Sequence, residues 1–142
     1  MTRVTANQRS AVASRAGGVC EYCYSPVAYS SDGFSVEHII PRSHKGETSL
    51  DNLAYSCQRC NNHKYNKVAA YDPLSGELVP LYNPRQHSWK EHFDWSGDLL
   101  YLVGLTPTGR ATIEALRLNR EGVVNLRRAL IAQGEHPSKL TT

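Results

Sequence analysis

Four cysteines stand in two pairs, Cys20-x-x-Cys23 and Cys57-x-x-Cys60. Both pairs have chelating spacing, and thiolates are good ligands for a soft or borderline metal ion. The set therefore reads as one tetrahedral site of four sulfurs rather than as a disulfide framework. Four thiolates leave no position open for a substrate, so the expected ion is a structural Zn2+. Two other readings compete: a redox C-x-x-C, which wants a thioredoxin-like setting and no second copy, and chance buried thiols. Between the pairs lie Val36-Glu37-His38-Ile39-Ile40-Pro41 and then Leu50-Asp51-Asn52-Leu53, while Asn61-Asn62-His63-Lys64 follows the second pair. Phosphodiester hydrolysis needs a water, a base to deprotonate it, and positive charge beside the phosphate. His38 suits the base, since a free imidazole has a pKa of about 6.5. Its second ring nitrogen must then be held, to fix tautomer and aim. Glu37 is a candidate ion ligand, but neighbours in a regular strand point to opposite faces. Glu37 and His38 can reach one centre only if the strand twists or bulges.

The strand motif, the Asn-Leu after a glycine-containing loop, and a C-x-x-C followed by Asn or His together resemble the HNH nuclease family. The resemblance covers about residues 18–67, with fifteen positions from Glu37 to Asn52 and nine from Asn52 to Asn61. It implies a ββα-metal (His-Me finger) core and metal-dependent endonuclease activity on nucleic acid, DNA first. It also implies that Glu37 ligates a divalent ion, that His38 is the base, and that Asn52 ties the loop backbone and keeps the base oriented. The last motif position is either Asn61 or His63. Two residues apart on a helix they diverge by about 200°, so one ion cannot take both. The family register favours Asn61; His63 is chemically the better ligand. A Glu–Asn pair suits Mg2+ or Mn2+. Arg42, Lys45, Arg59, Lys64 and Lys67 surround the motif and could form a phosphate-binding cradle, with a solvated basic surface as the plain alternative. A zinc-ribbon-like module that binds nucleic acid without cutting is the rival function, although a pure binder needs neither Glu37 nor His38.

These residues need elements to hold them. Residues 5–16 read as a helix stopped by Gly17-Gly18. Residues 34–41 read as a strand ended by Pro41, residues 50–56 as a turn plus strand, and Cys60 to about Ala70 as a helix. Asp72-Pro73-Leu74-Ser75-Gly76 is hairpin-tip chemistry. A short helix is expected over 86–93, a strand over 99–105, a helix from Thr106-Pro107 to about Leu118, and a last helix over 121–133. The expected organisation is α+β: a nuclease core over 1–70, and an extension over 71–142 that packs on it through Trp89, Phe93 and Trp95. His87 and His92 are read as structural or surface residues. Arg110, Arg117, Arg120, Arg127 and Arg128 in the extension either lengthen a nucleic-acid track or are helical surface charge.

The chain has 142 residues, a net charge of +3 and 40% hydrophobic content. That is enough for a packed core and does not fit a disordered chain. The mild basic excess permits a polyanionic partner without demanding one. No apolar run is long enough for a membrane span, and the start lacks the pattern of a secretory signal, so a cytoplasmic location is expected. Nothing in the sequence specifies an oligomeric state.

Overall fold

A computed structural model describes residues 3–141. The chain divides into two compact units, one of residues up to Val68 together with Asn83–Arg85, the other of Ala69–Tyr82 and the residues from Gln86 onward.

The first unit begins with α1 (Ala6–Ala16). Thr5 caps it: the Thr5 side chain accepts from Gln8 N, and the Gln8 side chain accepts from Thr5 N, which satisfies two backbone donors at the helix start. Gly17 ends it in the left-handed conformation at φ 67°, where glycine carries no Cβ penalty. Val12 and Ala16 are its buried residues, and the helix packs on the second strand. A turn then bridges Val19 to Pro26 and carries the first cysteine pair. The strand β1 (Ser35–His38) pairs antiparallel with β2 (Leu53–Ser56), opposing Glu37 to Ala54 and His38 to Leu53. Helix α2 (Gln58–Lys64) follows directly.

Strand β1 is shorter than the apolar–polar alternation suggests, because Pro41 and the turn of Arg42–His44 take over beyond it. Helix α2 starts earlier and ends sooner than expected. Cys57, not Cys60, stands at its start, as N-cap, with its sulfur facing the amide of Cys60. Tyr65, at φ 50°, breaks it, and Ala70 lies in a strand. The sequence ββα order with four clustered cysteines is a mixed α/β core of the ββα-metal type.

In the second unit β3 (Ala69–Tyr71) and β4 (Leu78–Pro80) form the hairpin whose tip begins at Asp72. Buried Asp72 accepts from the amides of Leu74 and Ser75 and from two nitrogens of Arg110, each at 2.9 Å. The short α3 (Trp89–His92) leads into β5 (Phe93–Trp95), which pairs with β6 (Leu102–Gly104). Then come α4 (Pro107–Leu116), capped by Thr106, and α5 (Glu121–Ala132). Trp89 and Phe93 are buried and stack with Trp95 in a run of rings. The arginine track is not formed as a set. Arg110 pairs with Asp72, and buried Arg127 donates to the carbonyls of Leu100 and Leu118 while its guanidinium lies 5.0 Å from the Trp95 ring centre. A guanidinium spent on carbonyls inside a core cannot meet a phosphate.

Candidate active site and metal centre

The sulfurs of Cys20, Cys23, Cys57 and Cys60 all lie within 4.8 Å of one another, and those of Cys23 and Cys57 are 3.8 Å apart. Metal–sulfur bonds of about 2.3 Å in a tetrahedron give sulfur–sulfur edges of about 3.8 Å, so the four thiols are positioned to hold one ion. Backbone amides point at the sulfurs: Tyr22 N at 3.4 Å and Cys23 N at 3.5 Å from the Cys20 sulfur, and Cys60 N at 3.5 Å from that of Cys57. Such donors stabilise thiolate charge. Burial pushes the Cys20 thiol well up, mutual hydrogen bonding pushes Cys60 well up, hydrogen bonds from the other cysteines pull Cys23 well down, and those from Cys20 and Cys60 pull Cys57 down to about 7. Four thiols in one buried pocket cannot all ionise unless a cation balances them. The two pairs come from the turn after α1 and from the start of α2, so a shared ion ties both ends of the ββα unit together.

His38 ends β1 and is half-buried. Its Nε2 lies 2.8 Å from the hydroxyl oxygen of Thr48. Burial, then the charges of Arg42 and Lys64, hold its pKa below the ordinary imidazole value. Asn52 ties the intervening loop by three bonds. Its Oδ1 accepts from Ile40 N at 2.9 Å, and its Nδ2 donates to Ile40 O at 3.0 Å and to Glu47 O at 2.8 Å. The loop closes tightly enough that a Cβ at Gly46 would sit 1.6 Å from Ile40 O. Asn52 thus acts on the backbone around His38, whereas Thr48 touches the ring.

Glu37 is not where its expected role requires. The β1–β2 register runs without a bulge, so strand alternation turns Glu37 away from the His38 side and into the core. The residue is 6% exposed, and its carboxylate takes the Tyr22 hydroxyl on one oxygen and Lys64 Nζ at 3.1 Å on the other. Burial raises its pKa, against the pull of Lys64 and Tyr22. The same buried contacts push the Tyr22 hydroxyl well up. In this arrangement the carboxylate expected to ligate a divalent ion meets the ammonium of Lys64 instead.

Lys64 corrects a second expectation. It is 1% exposed and cannot contact a phosphate. Besides Glu37 it donates to Ile39 O at 2.8 Å and to His38 O at 3.5 Å, pinning the end of β1 to α2. Lys64 also orients α2. Asn61 stands about 60° from it around the helix and His63 about 100° away on the other side, so Asn61 is nearer the face that meets β1. Arg42, Lys45, Arg59 and Lys67 are exposed. Arg42 and Lys45, with Thr48 and Ser49, line an open cavity of about 540 Å³. Lys67 also donates to His63 O at 2.8 Å.

Tyr22, Thr48, Gln8 and Arg15 were not singled out by the sequence. Arg15 donates from α1 to Leu50 O at 3.0 Å and Leu53 O at 2.7 Å, and Gln8 to Thr48 O at 3.2 Å. Tyr22 lies between two zinc-type ligands, and that was its only signal. A threonine in a polar loop carries none.

Comparison with known proteins agrees with this geometry. Residues 20–67 match the family described as HNH endonuclease, and they form an HNH domain. Over 48 residues the chain is 42% identical to the CRISPR-associated endonuclease Cas9 of Corynebacterium diphtheriae; the match takes 33% of this chain and 4% of that protein. The chain thus spans a small fraction of that relative's length.

Proposed function

We propose that this chain is an endonuclease that hydrolyses phosphodiester bonds in nucleic acid, DNA first, with His38 as general base and a structural Zn2+ on Cys20, Cys23, Cys57 and Cys60. One observation carries the reading: a half-buried imidazole, held by one ring nitrogen, stands at the end of a strand beside the loop that carries Arg42 and Lys45. Held through Nε2, the ring offers Nδ1 to a water. That nitrogen takes a proton as the water oxygen bonds to phosphorus, and the departing oxygen leaves with the electrons of the broken P–O bond. Arg42 and Lys45 supply positive charge for phosphate oxygens. Asn52 holds the backbone on which His38 and Thr48 stand. Bound zinc would supply no chemistry to this step; it would fix the turn and the helix between which β1 and β2 lie.

A need for Mg2+ or Mn2+ belongs to the same proposal. Asn61 is the amide that α2 leaves nearest β1, and an ion drawing on Glu37 would have to displace Lys64.

The test is incubation with supercoiled plasmid and with single-stranded DNA and RNA, in Mg2+, Mn2+ or enough EDTA to remove free cations but not the cysteine-bound ion. The expected result is cation-dependent cleavage that falls by roughly 100-fold or more in His38→Ala. Equal cleavage by both proteins removes His38 from its role. Tight binding without any cleavage replaces the nuclease with a nucleic-acid-binding module.

A further inference from the structure

The base proposed above needs one particular tautomer, and its chain neighbours do not enforce it. The Asn52 side chain spends its three hydrogen bonds on the backbone of Ile40 and Glu47. Lys64 reaches the carbonyl of His38, not its ring. The hydrogen bond to the ring is that of Thr48, 2.8 Å from Nε2.

Thr48 is itself held from both sides. The carbonyl of the preceding residue, Glu47, accepts from Asn52, and its own carbonyl accepts from Gln8 at 3.2 Å. Two residues on, Leu50 O accepts from Arg15. Gln8 is fixed in turn, because its Oε1 closes the capping box on Thr5 N at 2.9 Å while its Nε2 serves Thr48. One glutamine amide thus uses its acceptor to cap α1 and its donor to hold the loop. The first turn of α1 and the imidazole are joined through four residues, Thr5, Gln8, Thr48 and His38.

We propose that Thr48 is the positioning residue of the base: its hydroxyl oxygen accepts Nε2–H of His38 and thereby keeps the lone pair on Nδ1, with Gln8 holding Thr48 in place from α1. A hydroxyl can accept or donate, so the bond alone admits both tautomers. The Nε2–H form leaves Nδ1 as a base. The opposite form puts a proton on Nδ1 and cannot take one from water. The inference rests on the nuclease reading for its purpose, but not for its measurement, since the tautomer is read on the protein alone.

The experiment is ring 15N spectroscopy of the zinc-loaded full chain above the His38 pKa, comparing wild type with Thr48→Val and Thr48→Ser. Valine is close in shape to threonine and removes only the hydroxyl; serine keeps it. Wild type and Thr48→Ser should show His38 as the Nε2–H form, and Thr48→Val a mixture of both forms. If cleavage is found, kcat should fall about 10-fold in Thr48→Val with KM within two-fold, recover in Thr48→Ser, and fall by less in Gln8→Ala. An Nδ1–H ring in wild type overturns the proposal, as does an unchanged tautomer in Thr48→Val. Absence of cleavage with the expected tautomers overturns the nuclease reading and leaves the Thr48 assignment standing. Should Thr48→Val lose its zinc, Thr48→Ala with zinc retained must show the same tautomer mixture or the proposal fails.

Discussion

The charges nearest the imidazole act on when it can work. Its pKa is depressed by burial first, then by Arg42 and Lys64. A base must be neutral, so cleavage should be lost as pH falls through the depressed value, below the ordinary value of about 6.5. Arg42→Ala removes a cation that disfavours the imidazolium. The acid limb of the pH–rate profile should then move to higher pH; a pure phosphate contact would raise KM and leave the limb where it was. Lys64 makes a different point. It and Glu37 are a buried ion pair, with side chains 2% and 5% exposed. Removing one partner strands the other charge in the core, which typically costs about 3–5 kcal/mol. Urea unfolding of the zinc-loaded protein should show Lys64→Ala destabilised by that order, and Glu37→Gln with Lys64→Met much less so. If Lys64→Ala unfolds like wild type, the pair is not what secures β1 to α2.

At the scale of elements, the loop between β1 and β2 decides whether the base is aimed. Gly46 makes this testable without touching a polar group. A methyl there would fall 1.6 Å from Ile40 O and 2.9 Å from Asn52 Nδ2. Backbone cannot yield that far, so Gly46→Ala should open the Asn52 clamp. Amide exchange should speed up across residues 40–49, and cleavage should drop at least as far as in Thr48→Val. Unchanged exchange there would show that the loop closes another way. The ββα order and the cysteine cluster were legible in the sequence, because each rests on pattern and fixed spacing; the clamp by Asn52 was implied by the family resemblance alone. The direction of Glu37 was half-legible: strand alternation already opposed it to His38, and the family register argued the other way. The burial of Lys64 was not legible, because a lysine four residues after Cys60 looks like surface charge until the helix is seen to turn both inward. The length of α2 departs from the expected one for a similar reason. Residues 65–70 carry no proline or glycine, and the break at Tyr65 comes from a backbone angle that tyrosine gives no hint of.

At the scale of the whole chain, all four cysteines belong to the first unit and none to the second. Around the sulfurs, that unit consists of two strands of four residues each and a seven-residue helix, with α1 packed on the second strand. Strands and helices so short do not hold a geometry unaided. Structural zinc in small domains adds about 10–16 kcal/mol of apparent binding free energy at pH 7, more than such a unit can draw from its own core. The second unit has its own anchors in the Asp72–Arg110 pair, the Trp89–Phe93–Trp95 rings and buried Arg127. A strong chelator added to the intact protein should therefore act unevenly. Hydrogen exchange should lose protection across residues 18–67, and protection in α4 and α5 should persist. Cys57→Ser should reproduce the chelator's pattern and abolish any cleavage, although no cysteine touches substrate. Protection that survives chelation throughout would mean that the four thiols do not carry the first unit's stability, and that the helix and strands around His38 are held by the Glu37–Lys64–Tyr22 core instead.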